Sequence, residues 1–324
     1  MRRRELLIGS LSGVALVSLS RHARAEAENP RELRIGYQKN GVLVIARQQA
    51  VLQQQLAQRG VELKWVEFTS GPPLLEAMNV GSIDLGQVGD TPPIFAQAAG
   101  AAVVYVAGQP ITNGQGILVR PDSDIRTLAD LKGKRVGFTK GSSAHNVTVI
   151  ALEKAGLGYG DIAPVYLSPP DAAAAFTRGS IDAWAAWDPY YAEAEVRANA
   201  RVLSDGDGLV ANREFQLTTR EFARDRPAVV AAILDGLRGQ GDWTRSHPDE
   251  VARLFANEIG LDVATVRRVI DRKSFGVSPM DRTIVAEQQH VADVFAELGL
   301  IPARLDVREA MLTPATNTTQ GAGG

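Results

Sequence analysis

The sequence predicts an α/β protein of two similar lobes joined by a two-strand hinge, on three observations. First, short apolar runs alternate with helical patterns between residues 33 and 107. That is βαβαβαβ order, and it calls for a largely parallel sheet with helices on both faces. Second, the pattern restarts. Arg34-Ile35-Gly36-Tyr37-Gln38-Lys39 recurs as Arg135-Val136-Gly137-Phe138-Thr139-Lys140, 101 positions later, and Gly81-Ser82-Ile83-Asp84 recurs as Gly179-Ser180-Ile181-Asp182, 98 positions later. A fixed order at nearly one offset indicates two copies of one unit and not a longer array. Third, Gly116–Val119 closes the first unit and a strand-like run, Phe215–Thr219, follows the second. Pairing of these two runs would carry the chain out and back.

The elements follow in order. Leu33–Tyr37 reads as a strand, Val44–Arg59 as a helix stopped by Gly60, and Val61–Phe68 as a strand. Pro72–Asn79 is a helix, Asp84–Val88 a strand, Pro92–Ala99 a helix and Val103–Ala107 a strand. Six residues past each repeated aspartate stands another, Asp90 and Asp188, each with a proline close behind. Both halves also carry a Ser/Pro loop before a helix, at Thr69–Pro73 and Ser168–Pro170. Beyond residue 219 the patterns are helical, at Arg226–Ser246, Asp249–Glu258, Ala264–Asp271 and Arg282–Leu298, and should brace the first lobe. The expected division is a discontinuous first lobe at 31–117 and 213–312, and a second lobe at 118–212 inserted into it.

The first residues have the layout of an export signal. Arg2, Arg3 and Arg4 are followed by an uncharged apolar stretch, Leu6–Leu19, and by a small-x-small site, Ala23-Arg24-Ala25. Cleavage is expected after about Ala25. The apolar stretch is shorter than the roughly 20 residues a bilayer span needs. Arg3-Arg4-Glu5-Leu6-Leu7 also fits a twin-arginine signal, so both export routes stay open. The 324 residues include no cysteine, which excludes a lipid-anchored cleavage point, disulfides and thiol chemistry. Formal charge is −2, with no basic stripe for nucleic acid. The tail, 313–324, is Thr, Asn, Gly and Ala with little to bury, and is expected to be disordered.

Four loops follow strands and precede helices, and should face one another where ligands bind in open α/β sheets. They are Tyr37–Gly41, Gly89–Pro93, Lys140–Asn146 and Trp184–Tyr190. The third is the most informative. A Gly141-Ser142-Ser143 run entering a helix presents hydroxyls and unpaired N–H groups at the positive end of the helix dipole, which holds an oxyanion without a cation. Ser142 and Ser143 are the first candidates, and one of them also suits the helix N-cap. Thr91, ahead of two prolines at a helix start, would face the anion from the other lobe, while Asp90 beside it is a ligand residue or a cap. Gln38 is a neutral donor at a strand end. Trp187 would wall an apolar tail, with Trp184 fitting the core better. Asp188 beside an anion would orient neighbours, meet a ligand amine or cap its helix. His145, in the first helical turn, should be neutral. No metal-ligand spacing, Gly-x-Ser-x-Gly elbow, Walker A or dinucleotide fingerprint occurs, so no cofactor, metal or catalytic residue is expected.

At these loops the sequence resembles the aliphatic sulfonate-binding proteins of ABC importers, within a larger group that binds taurine, nitrate and thiamine precursors. The resemblance rests on Gly36–Lys39, Gly81–Asp84, Gly89-Asp90-Thr91-Pro92-Pro93, Gly133–Gly137, Lys140-Gly141-Ser142-Ser143-Ala144-His145-Asn146 and Trp187-Asp188-Pro189-Tyr190. It runs from about residue 31 to residue 300. It implies a class II periplasmic binding fold that closes about a hinge, a monomer in the periplasm, and delivery of a small anionic ligand, an aliphatic sulfonate, to a permease with its ATPase. Gln38, Thr91, Ser142, Ser143 and nearby amides would hold the anion. Asp188 would lie at the cleft, as where a taurine-type ligand carries an amine. A second class on the same fold, the thiamine-pyrimidine synthases of fungi, carries a cysteine-rich iron motif that this chain lacks.

Overall fold

The computed structural model describes residues 31–312. The expected signal peptide and C-terminal tail lie outside the described residues. Two five-stranded sheets form the frame. The first half of the chain contributes β1 (Arg31–Tyr37), α1 (Gly41–Gln48), α2 (Val51–Ala57), β2 (Val61–Glu67), α3 (Gly71–Asn79), β3 (Leu85–Gly89), α4 (Thr91–Ala98) and β4 (Val103–Gly108). The second contributes β5 (Gln115–Val119), β6 (Arg135–Phe138), α5 (Ser143–Lys154), β7 (Ala163–Tyr166), α6 (Pro169–Thr177), β8 (Ala183–Trp187), α7 (Tyr190–Arg197) and β9 (Arg201–Asp205). The chain returns through β10 (Glu214–Thr219) and ends in α8 (Arg220–Asp225), α9 (Pro227–Ser246), α10 (Pro248–Ile259), α11 (Val263–Arg272) and α12 (Arg282–Glu297).

The sheets have the same topology, β2-β1-β3-β10-β4 and β7-β6-β8-β5-β9. In each, four strands run parallel and the one in fourth place runs antiparallel to both of its neighbours. The repeated residues explain one another. Asp84 accepts from the Arg34 backbone N–H at 2.7 Å and from its guanidinium, and Asp182 accepts from the Arg135 backbone N–H at 2.8 Å and from its guanidinium. The aspartate N–H returns a bond of 2.8 Å to the arginine carbonyl in both lobes. Each Arg-x-Gly glycine lies under the isoleucine of its Gly-Ser-Ile-Asp turn. A Cβ at Gly36 would stand 2.5 Å from Ile83 Cδ1, and one at Gly137 would press on Ile181 Cδ1 in the same way. The duplicated signature is thus one device, an arginine strand stapled to the turn that leads into the next parallel strand.

Two details differ from the sequence expectation. Gly116–Val119 does not close the first lobe or pair with Phe215–Thr219. β5 sits between β8 and β9 in the second sheet, and β10 between β3 and β4 in the first. Ile117, Leu118 and Val119 are fully buried, which requires a partner on each edge and helices on each face. The crossings are therefore the segments 109–114 and 206–213, and they bond to each other. The Gln109 N–H donates to Glu214 O at 2.8 Å, Arg213 donates to Gln109 O at 2.9 Å, and Asn212 Nδ2 donates to Thr112 O at 3.0 Å. The other detail is the helix expected at 44–59, which is broken between α1 and α2. Ala50 is left-handed, with φ of 55°, and Gln49 beside it accepts from Gln240 of α9 at 2.8 Å.

The late helices brace the first lobe, as expected. Ile233, Leu237, Val251 and Phe255 pack on Leu33, Ile35 and Leu43. Burying each such side chain contributes roughly 1.5–3 kcal/mol. An apolar cluster of Ile94, Val149 and Phe295 also joins α4, α5 and α12 across the lobes.

Candidate functional site

A cleft holding about 430 Å³ of atom-free space lies where the carboxyl ends of the two sheets meet. The first lobe supplies Gln38, Asn40, Gly71, Gly89 and Pro92; the second supplies Ser142, Ser143 and Trp187; the crossings supply Thr112, Gly114 and Asn212; and Glu214 and Lys273 complete the lining. Strand ends and helix starts put these residues there. β1 delivers Gln38 and Asn40 to the start of α1, and β6 delivers Ser142 and Ser143 to the start of α5. The first N–H groups of α1 and α5 have no acceptor within their own helices. By contrast α3, α4 and α6 begin with prolines, which remove such donors. Unpaired amides are therefore concentrated at α1 and α5.

Ser142 is the N-cap of α5, yet its hydroxyl donates back to Thr139 O at 2.7 Å. Ser143 is partly exposed and stands against the other lobe, where a Cβ at Gly89 would lie 2.9 Å from Ser143 Oγ. Only glycine lets the lobes approach so closely. Gln38 lines the cleft while its Nε2 donates to Gln87 O at 3.1 Å. Trp187 is half-buried and separates the cleft from an outer compartment walled by Phe68, Pro189 and Tyr190, with Lys39 and Glu67 at its edge. Lys39 and Glu67 form an ion pair of 3.4 Å.

Four sequence candidates do not line this cleft. Thr91 is fully buried and donates its hydroxyl to Asp90 Oδ1 at 2.8 Å. Asp90 is buried beneath it and accepts from Asn146 Nδ2 at 2.8 Å, a bond that crosses the lobes. Burial raises the Asp90 pKa, against the pull of the Thr91 and Asn146 hydrogen bonds. His145 has 0% exposure and stacks on Phe138 amid Phe95, Tyr159, Tyr166 and Phe295. Its Nδ1 accepts from the Gly141 N–H at 3.2 Å, which makes Nε2 the protonated nitrogen, 2.9 Å from Tyr159 Oη. Burial and Lys140 push its pKa down to about 3, so it is neutral, as the helix start suggested, but structural.

Asp188 is 1% exposed and lies behind Gly114 of the cleft lining, where a Cβ would stand 2.9 Å from its Oδ2. It accepts from the Ala192 N–H at 3.1 Å, lies 3.5 Å from Arg272, and leaves Oδ2 without a partner. Burial pushes its pKa up to about 6, against the opposing pull of Arg272 and Lys273.

Sequence reasoning missed Asn40, Thr112, Asn212, Glu214 and Lys273. Lys273 Nζ donates to Glu214 Oε1 at 3.0 Å, Gln87 Nε2 donates to Glu214 Oε2 at 2.6 Å, and Gln216 Nε2 donates to Gln87 Oε1 at 2.9 Å. Asn40 was legible as part of the Gln-Lys-Asn-Gly loop. Lys273, at the end of a distant helix, carried no local signal. Among the described residues no group of three His, Cys, Asp or Glu side chains could hold a metal, and no helix is long and apolar enough to cross a membrane.

Comparisons with known proteins agree with this geometry. The NMT1/THI5-like family matches residues 44–251. A relative from Escherichia coli, named as a candidate aliphatic sulfonates-binding protein, is 42% identical over 307 residues, 94% of this chain and 96% of its own. The alkanesulfonate-binding protein SsuA from Xanthomonas axonopodis pv. citri, solved bound to MOPS, superposes with a TM-score of 0.84 at 42% identity, over 88% of this chain and 99% of that one. The periplasmic aliphatic sulphonate binding protein SsuA from Escherichia coli superposes with a TM-score of 0.79 at 43% identity, over 88% of this chain and 93% of that one. With a two-lobed frame, a cleft between strand ends and these matches along most of its length, the chain belongs to the NMT1/THI5-like family, among the aliphatic sulfonate-binding proteins.

Proposed function

We propose that this chain is an exported solute-binding protein that captures aliphatic sulfonates between its lobes and delivers them to an ABC importer for sulfur uptake. The observation that carries the reading is the pairing of two helix starts, α1 with Gln38 and Asn40, and α5 with Ser142 and Ser143, across one cleft. A sulfonate presents three oxygens with one charge spread over them. Several neutral donors and two helix dipoles suit that shape better than a single cation. The tail would pass Trp187 into the aromatic outer compartment. The relatives described above are named for binding and not for catalysis.

Closure would move the lobe at 118–212 against 31–117 and 213–312 about the two crossings, driven by contacts made only in the closed state. The protein would act as a monomer in the periplasm after cleavage near Ala25, and would present the closed form to a permease with its ATPase. Titration calorimetry with a series of linear alkanesulfonates tests the reading. Binding with a 1:1 ratio and a change in Trp187 emission is the expected result. No heat from any sulfonate or sulfate ester overturns it.

A further inference from the structure

We propose that a second cavity, lying between α5, α12 and the crossing at 206–213, binds a small organic ammonium ion whose apolar body fills the cavity and whose charge rests on Asp90. This cavity holds about 510 Å³ of atom-free space and is distinct from the cleft, with Asn212 common to both linings. Its volume lies within the roughly 300–1,000 Å³ of small-molecule sites. Ile150, Leu209, Val210, Phe215 and Val291 give it apolar walls. Asp90, Asn146 and Gln288, bonded to one another, give it a polar end.

The polar end lacks a cation. The Asp90 carboxylate belongs to a residue 5% exposed, accepts from the Thr91 hydroxyl at 2.8 Å and from Asn146 Nδ2 at 2.8 Å, and makes no ion pair among the described residues. Burying a carboxylate without a counter-charge is unfavourable, and each of its oxygens still has a lone pair to offer. Asn146 turns Nδ2 to Asp90, which leaves Oδ1 without a partner although the residue is 2% exposed. Gln288 Nε2 is already committed to Asp90 O and Tyr105 Oη. Arg213 and Glu287, also in the lining, pair with each other at 2.5 Å, and His290 is exposed. What remains is a carboxylate and an amide carbonyl, both acceptors, at one end of an apolar cavity. A primary ammonium brings three donors and a positive charge to that end, where an alcohol brings one donor and no charge. Asp90 stands in the first lobe and Asn146 in the second, so the bound ammonium would fasten the lobes in this arrangement.

Calorimetric titration of the protein with benzylamine and with benzyl alcohol tests the site, in the wild type, Asp90→Asn and Val291→Phe. Wild type is expected to bind benzylamine saturably and to prefer it to the alcohol by about tenfold or more. Asp90→Asn keeps the shape and should lose that preference. Val291→Phe fills the cavity from α12 and should weaken both ligands. Saturating ethanesulfonate should leave benzylamine bound, because the two sites are separate. No benzylamine binding by the wild type overturns the proposal, as does an undiminished preference for the amine in Asp90→Asn. Displacement of benzylamine by ethanesulfonate also overturns it, because the amine would then lie in the cleft. If Asp90→Asn does not fold, Val291→Phe and the competition decide the matter. A wild type that takes benzylamine but no sulfonate would remove the sulfonate reading and leave this site standing.

Discussion

The two lobes share a frame and differ at its tips. In the frame, Arg34–Asp84 and Arg135–Asp182 make the same bonds, and Gly36 and Gly137 lie under matching isoleucines. At the tips, equivalent aspartates have diverged. Asp90 is held by Thr91 and reaches across the lobes to Asn146, whereas Asp188 holds the start of α7 within its own lobe and faces Arg272. The helix starts that follow them differ as well, with Pro92 and Pro93 in the first turn of α4 and Pro189 at the N-cap of α7. Duplication has kept what holds a sheet together and released what faces the cleft. Both lobes still bring a helix start to the cleft, α1 and α5, while the late helices pack on the first lobe.

Three experiments break or sharpen this comparison, beginning with the largest effect. Valine at Gly36 or at Gly137 forces side-chain atoms into the matching isoleucine and should cost about 3 kcal/mol in either lobe by chemical denaturation. A variant tolerated in one lobe and not in the other would show that the frames are not equivalent. The second concerns the tips. The Asp188 carboxyl is raised to about 6 in the folded chain, above its unfolded value near 3.9. Its contribution is therefore fully present below the unfolded value and is lost as pH rises through about 6, on the order of 2–3 kcal/mol. Asp188→Asn should flatten the pH dependence of stability between about pH 4 and pH 7, and a profile parallel to wild type would remove the assignment. The smallest effect should come from Asp84→Ala and Asp182→Ala, at about 1–2 kcal/mol each by thermal melting. The loss at Asp84 should be the larger, because Arg34 is less exposed than Arg135. The reverse order would mean that burial does not govern the strength of the staple.

Much of this was legible in advance. The duplicated Arg-x-Gly and Gly-Ser-Ile-Asp segments foretold two sheets, and their recurrence follows from a bond that both copies make. Ser142, Ser143 and Gln38 line the cleft, because a loop between a parallel strand and its helix has one place to go. Thr91, His145 and Asp188 stand on cleft loops but do not line the cleft, for one reason. Sequence places a residue on a loop but does not say which way its side chain turns, and each of these turned toward a buried partner. The expected pairing of Gly116–Val119 with Phe215–Thr219 fails because strand pairing between β5 and β8, or β10 and β3, depends on segments far apart in the chain.

The sequence by itself determined the α/β class, the two copies and the open helix start at Ser142 and Ser143, all of which come from local periodicity, turn chemistry and capping. Only the tertiary structure decided that each sheet takes its fourth strand from chain arriving from the other lobe, that Asp188 and His145 are buried, and that Lys273 meets Glu214 in the cleft lining. Those outcomes depend on which distant groups can satisfy a buried charge or strand edge, and that is settled only when the chain has packed.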